Sequence, residues 1–167
     1  MRDPDTLEAA LQKAEGEEEL KERLERELNE LLQELRSLIP GAEVLFGFLL
    51  AISFTTEFTS LGDPERYVYY ATLACTGIAL VLYLAPAAHH RLRFREGDKD
   101  YLLRKANREV ILGTVASSLA LTGVIFLVSE RVFGATEAVF ASIAFFGFTA
   151  WRWWSLALLR AWRSSAR

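Results

Sequence analysis

Tyr67–Ala85 reads YVYYATLACTGIALVLYLA, and Val110–Val128 reads VILGTVASSLALTGVIFLV. Each is a run of 19 residues without a charged side chain. As a helix rising 1.5 Å per residue, such a run is ~28 Å long, close to the ~30 Å of a bilayer's hydrocarbon core. Both runs are apolar on every side, whereas a helix of a water-soluble protein keeps a polar face. Together they predict an integral membrane protein.

Two further apolar stretches flank these runs. Ala42–Leu61 precedes the turn Gly62-Asp63-Pro64, and Val132–Trp153 follows the short connection at Glu130-Arg131. The expected fold is therefore an all-α membrane protein, a four-transmembrane-helix bundle. Its spans are residues 42–61, 67–86, 110–128 and 132–153, with a basic loop at 87–109. A cytoplasmic extension, residues 1–40, precedes the 41–167 membrane domain. Pro86 is expected to close the second helix.

The mean hydropathy of +0.16 and net charge of −3 hide two unlike parts. Residues 1–40 hold 12 Asp/Glu against 6 Lys/Arg, so the acidity belongs to the extension. Its start, Met1-Arg2-Asp3-Pro4-Asp5, is polar and does not read as a signal peptide. Gly16 is expected to interrupt the extension's helix. From Glu17 onward, Leu24, Leu28, Leu31, Leu35 and Leu38 alternate spacings of four and three, a coiled-coil-like stripe of an amphipathic helix. Pro40-Gly41 is expected to end it.

Orientation follows from the basic residues. Arg91, Arg93, Arg95, Lys99, Arg104, Lys105 and Arg108 lie between the second and third spans, and Arg160, Arg163 and Arg167 lie in the tail. The opposite side carries only Arg66 and Arg131. Basic segments stay in the cytoplasm. Both termini and the middle loop are thus expected inside a bacterial inner membrane. Trp151, Trp153 and Trp154 fall where an interfacial aromatic belt belongs, and His89, His90, Arg91, Arg93 and Arg95 are candidate contacts for lipid headgroups.

The first and fourth spans carry charges close to the hydrocarbon. Only 13 uncharged residues separate Glu43 from Glu57, and 14 separate Glu137 from Arg152. Each stretch covers about 20 Å, less than the core. If these two helices are neighbours, Glu43 can face Arg152 as a structural pair, and Glu57 lies level with Glu137. Intramembrane ionisable groups line cavities or pair with one another. One reading is a cation path built from Glu57, Glu137, Ser53, Thr56 and Ser60, the hydroxyls and Glu57 following i, i+3, i+4, i+7 spacing. The other is a structural pairing of Glu57 with Arg66 or Arg131.

Thr114, Ser118 and Thr122, and likewise Thr72 and Thr76, form hydroxyl stripes suited to hydrogen bonding between helices or to lining a wet lumen. Small residues recur every fourth position at Ala71, Cys75 and Ala79, at Gly113 and Ser117, and at Ala138 and Ser142, which permits close helix approach. Cys75 is the lone cysteine, so neither an intrachain disulfide nor a cysteine metal cluster is expected. The adjacent His89 and His90 diverge on a helix and make a poor metal site. No Ser/His/Asp set or phosphate-binding Gly-rich loop appears, so no enzyme and no cofactor are expected. Glu96, Asp98, Asp100 and Glu109 dilute the basic loop, which argues against nucleic acid as a partner.

Glu34-Leu35-Arg36, the run Ile39–Leu50, and Leu84-Ala85-Pro86-Ala87-Ala88-His89-His90-Arg91 with Phe94-Arg95 resemble a bacterial family of small membrane proteins with no assigned function. The resemblance covers about Glu34 to Trp154. It implies four helices and, from the transporter-type names of some members, sodium:proton antiport. Members usually carry Gln where this chain has Glu43. Two functions are expected on this reading: a homo-oligomeric, channel-like ion-conducting protein, or a non-conducting scaffold or accessory protein. The lipid bilayer, further copies of the chain and a cytoplasmic protein bound by the N-terminal helix are the expected partners.

Overall fold

A computed structural model describes residues 4–92 and 99–165. The described residues form five helices: α1 (Pro4–Ser53), α2 (Thr56–Thr59), α3 (Asp63–Leu92), α4 (Lys99–Phe133) and α5 (Ala135–Ser165). Three of them contain stretches long and apolar enough to cross a membrane, within Glu18–Ser53, Asp63–His89 and Leu103–Phe133. Helix α5, with Glu137 and Arg152 near the two ends of its apolar part, is not among the three.

Helix α1 departs from the sequence expectation. It runs without a break for 50 residues, through Gly16 and through Pro40-Gly41. Gly16 costs a helix only about 1 kcal/mol relative to Ala, and good helix formers, with an Arg23–Glu27 pair at 2.9 Å, surround it. Pro40 removes one backbone hydrogen bond, but Leu31, Leu32 and Leu35 before it and Ala42 after it pack in one cluster with Tyr83 and Val110. Anchored on both sides, the helix continues past the proline. The boundary expected between an extension and a membrane domain at residue 40 therefore falls inside a single rod. Pro86 likewise sits within α3 and is fully buried.

The leucine stripe divides. Leu35 is 2% exposed and Leu31 packs beside it, while Leu38 faces outward. Part of the predicted stripe is thus used within the chain itself.

The middle of the bundle is the antiparallel pair α3 and α4, joined by small and hydroxyl-bearing residues. Ala79, Ala116 and Ala120 are buried, as are Thr72, Thr76 and Ser118. The ring of Tyr83 covers Gly113, and Thr72 lies against Gly123. Tyr83 Oη is 3.0 Å from Ser117 Oγ. Helix α1 packs on both α3 and α4, whereas α5 packs on α4. The α5 face that turns inward carries Ala138 and Thr149, both buried, and the partly buried Ser142 and Phe145. The turn into α5 uses Gly134 at φ 102°, a left-handed conformation suited to glycine.

Helices α3 and α4 each extend into the segment expected as the loop 87–109. The region joining them narrows to residues 93–98, which lie outside the described residues together with Arg93 and Arg95. His90, Arg91 and Trp154 are placed on their helices by backbone only.

Candidate functional site

The polar residues expected to line a path gather at the end of the bundle where α1 meets α2. They do not form one stripe, because the helix breaks between them. Phe54 N–H donates to Ala51 O and Thr55 N–H to Ile52 O, three-residue bonds that tighten the end of α1. Thr55 Oγ1 also donates to Ile52 O at 2.8 Å. Side-chain hydroxyls that bond nearby carbonyls offer the backbone an alternative to the helix, and Ser53 and Thr55 both do so here. Thr55 is extended, at φ −92° and ψ 158°, and α2 starts after it.

The break sends the candidate residues different ways. Ser53 turns inward, with Oγ 3.0 Å from Tyr69 Oη. Tyr69 itself donates to the Leu49 carbonyl across the α1–α3 contact. Thr56 and Glu57 lie on α2, and Ser60 is its C-cap, donating from Oγ to Glu57 O at 2.7 Å. Glu57 Oε2 accepts from Arg131 Nη2 at 3.1 Å, with the two side chains 75% and 65% exposed. Exposed pairs of this kind contribute about 1 kcal/mol or less. The pair ties α2 to the end of α4.

Glu137 is in the first turn of α5, where a negative charge faces the positive end of the helix dipole. Helix α5 touches neither α1 nor α2. Glu57 and Glu137 are therefore not brought together within the chain, and neither are Glu43 and Arg152, both of which are exposed. The neighbour relation considered from the matched charge spacings is absent from the protomer, because α4 lies between α1 and α5.

Sequence reasoning missed two features at this end. The Glu65 and Glu130 carboxyls lie side by side, from α3 and α4. Beneath them is a cavity of about 510 Å³ whose walls include Leu49, Ile52, Phe58, Val124 and Leu127, with Glu57, Glu130 and Arg131 at its rim. Its lining is mostly apolar and suits a hydrocarbon group, with the Glu57 and Glu130 carboxylates among the lining residues. Single residues could not have signalled it, since its walls come from α1, α2, α3 and α4 together.

At the opposite end, His89 Nε2 is 3.2 Å from Glu109 Oε1, and Lys105 Nζ is 4.0 Å from the same oxygen. His89 is thus turned towards α4. Trp151 and Trp153 face outward from α5. Among the described residues, no three His, Cys, Asp or Glu side chains converge into a metal-binding group.

The hydroxyl stripes close on themselves. Thr72 Oγ1 donates to Val68 O at 2.7 Å and Thr76 Oγ1 to Thr72 O at 2.8 Å. Thr114, Ser118 and Thr122 donate to the carbonyls of Val110, Thr114 and Ser118 at 2.8–2.9 Å. These donors are taken up by their own helices.

No curated protein and no solved structure matches the chain. A family model does, over residues 17–157, described as a family of unknown function, DUF6328. The match reaches further back than the resemblance read from Glu34 onward, so the acidic part of α1 belongs to the pattern. An all-helical chain with three helices long and apolar enough to cross a membrane, it is a member of DUF6328.

Proposed function

We propose that this protein is a non-conducting, four-span protein of the bacterial inner membrane, a scaffold or accessory subunit with both termini in the cytoplasm. Helix α5 is the fourth span, packed against α4. The acidic half of α1 projects into the cytoplasm and presents its exposed charges to a protein partner. No catalytic step and no cofactor enter this reading.

One observation carries it. The hydroxyls of Thr72, Thr76, Thr114, Ser118 and Thr122 are buried or half-buried among the packed helices, each donating to a carbonyl one turn back. A conducting path needs open space in which polar oxygens can replace an ion's water. Here the α3–α4 seam is filled by Ala79, Ala116, Ala120 and Tyr83, all buried. Glu57, the carboxylate best placed for a path, is held by Arg131 above an apolar cavity.

The test is flux. Purified protein in liposomes is expected to pass neither protons nor sodium above the protein-free rate, and Glu57→Gln is expected to change nothing. Deleting residues 1–33 is expected to leave an inserted protein that no longer retains its cytoplasmic partner in a pull-down. Saturable cation flux that falls on Glu57→Gln would instead establish the alternative, an ion-conducting homo-oligomer.

A further inference from the structure

Glu43 and Arg152 have no ion-pair partner among the described residues, and both are exposed on outer faces of the protomer. Their depth makes this costly. Glu43 stands ten residues before Ser53, the last residue of α1, so it lies ~15 Å from the end where the helix breaks. That is near the middle of a hydrocarbon core ~30 Å thick. Phe46, three residues on, lies against Gly77, at the centre of the uncharged run of α3. Arg152 stands fifteen residues beyond Glu137, ~22 Å down α5. With Ser53 and Glu137 taken as level at the outer face, the two charges differ in depth by ~7 Å, a gap that one extended Arg and one Glu side chain bridge.

The helices bearing them each carry an open, exposed glycine. Gly47 lies one turn from Glu43, and Gly147 lies five residues before Arg152. A Cβ built on either glycine meets nothing within 4 Å. By contrast, Gly113 and Gly123 of the inner seam are covered by Tyr83 and Thr72. Glycines that permit close approach but receive no helix within the protomer are suited to receiving one from outside. Around them the faces are apolar: Val44 and Phe48 on α1 are 59% and 67% exposed, and Phe148 and Trp151 on α5 are 60% and 66% exposed.

We infer that two copies of this chain join in the membrane through these faces, α1 of one copy against α5 of the next, with Glu43 of the first paired to Arg152 of the second. Each face supplies the charge that the other lacks, and for Glu43 the depth is one where an unpaired charge is among the costliest features a membrane protein can carry. Because the two faces differ, the contact is either reciprocal in a twofold dimer or repeated around a closed ring. The inference rests on the reading that both α1 and α5 cross the bilayer, and it holds whether or not the protein conducts.

The experiment uses the full chain with Cys75→Ala. Two differently tagged versions, Val44→Cys and Phe148→Cys, are co-expressed and oxidised in native membranes. The expected product is a mixed-tag covalent dimer, at least about tenfold above that of Val44→Cys with Val81→Cys, whose residue faces outward from α3. Glu43→Arg or Arg152→Glu alone is expected to lower the mixed dimer about tenfold, the scale of one interhelical polar contact. The double reversal is expected to restore it. The isosteric Glu43→Gln, which leaves folding undisturbed, is expected to lower it several-fold. Equal cross-linking of the Val81 control, or a yield indifferent to Glu43→Gln and to both reversals, overturns the interface. Sidedness labelling of Ala135→Cys and of a C-terminal tag checks the α5 crossing separately, so a missing cross-link with the crossing intact counts against the interface alone.

Discussion

The ring of Tyr83 on α3 lies directly over Gly113 on α4, so near that a Cβ at Gly113 would come within 2.6 Å of Tyr83 Cε1. Contact of this kind lets the two helices approach closely and lets Tyr83 Oη reach Ser117 Oγ at 3.0 Å. Gly113→Ala is therefore expected to push α3 from α4 and to cost about 1–3 kcal/mol, as overpacking does. Gly16→Ala makes the opposite case. Nothing lies within 4 Å of a Cβ there, and the helix gains up to about 1 kcal/mol. Unfolding of both variants in a denaturing-detergent titration checks the signs.

Tyr69 secures the end of α1. Its hydroxyl donates to the Leu49 carbonyl and lies 3.0 Å from Ser53 Oγ. Tyr69→Phe keeps the ring's edge contact with Phe58, at a centroid distance of 5.0 Å, and removes only the oxygen. A loss of about 1 kcal/mol is expected, the usual net worth of a buried hydrogen bond. Faster hydrogen exchange confined to residues 49–55 would mark the lost fastening; exchange that rises equally along α1 would contradict it.

The side-by-side carboxyls of Glu65 and Glu130 repel when both are ionised. Glu130→Gln removes that repulsion while keeping hydrogen-bonding capacity. A higher Tm than the parent at neutral pH is expected, with the difference shrinking in acid as the parent's own carboxyls take up protons. A Tm lowered at neutral pH would show that the Glu130 charge is needed, through Arg131 or otherwise.

His89 and Glu109 fasten α3 to α4 at the other end, 3.2 Å apart and both largely covered. A double-mutant cycle with His89→Ala and Glu109→Ala is expected to give a coupling of about 0.5–1.5 kcal/mol. Additive losses would show that the two groups act separately.

Topology is open to direct measurement. In the Cys75→Ala background, single cysteines at Gln12 and Tyr101 are expected to react with an impermeant reagent only from the cytoplasmic side. Cysteines at Asp63 and Ala135 are expected to react only from the opposite side. Labelling of Gln12 and Asp63 from one side would remove α1 as a span.

Much of this fold was legible in the sequence because lipid imposes a simple demand. Tyr67–Ala85 and Val110–Val128 announce α3 and α4 by length and by lack of charge, whereas the link expected at Glu130-Arg131 lies inside α4 and the turn falls at Gly134. The breaks were less legible. Pro40 and Gly16 are local signals, and tertiary anchoring by Leu35 and Ala42 outweighs the first, while neighbouring helix formers carry the chain through the second. Conversely, nothing in Ser53–Ser60 other than its row of hydroxyls marks the one place where the first apolar stretch yields. Helix neighbours were not legible. Equal charge spacings in α1 and α5 suggested adjacency, but spacing along a helix fixes depth and leaves azimuth open, and α4 takes the position between them.

The unbroken α1 has a mechanical consequence. A rod of 50 residues, about 75 Å long, has no flexible joint between its acidic end and Ser53. Apart from the single hydrogen bond missing at Pro40, one continuous helix links Leu20 to the Thr55 elbow beside Tyr69. Whatever grips the acidic end therefore holds a lever, and the far arm of that lever ends beside the apolar cavity.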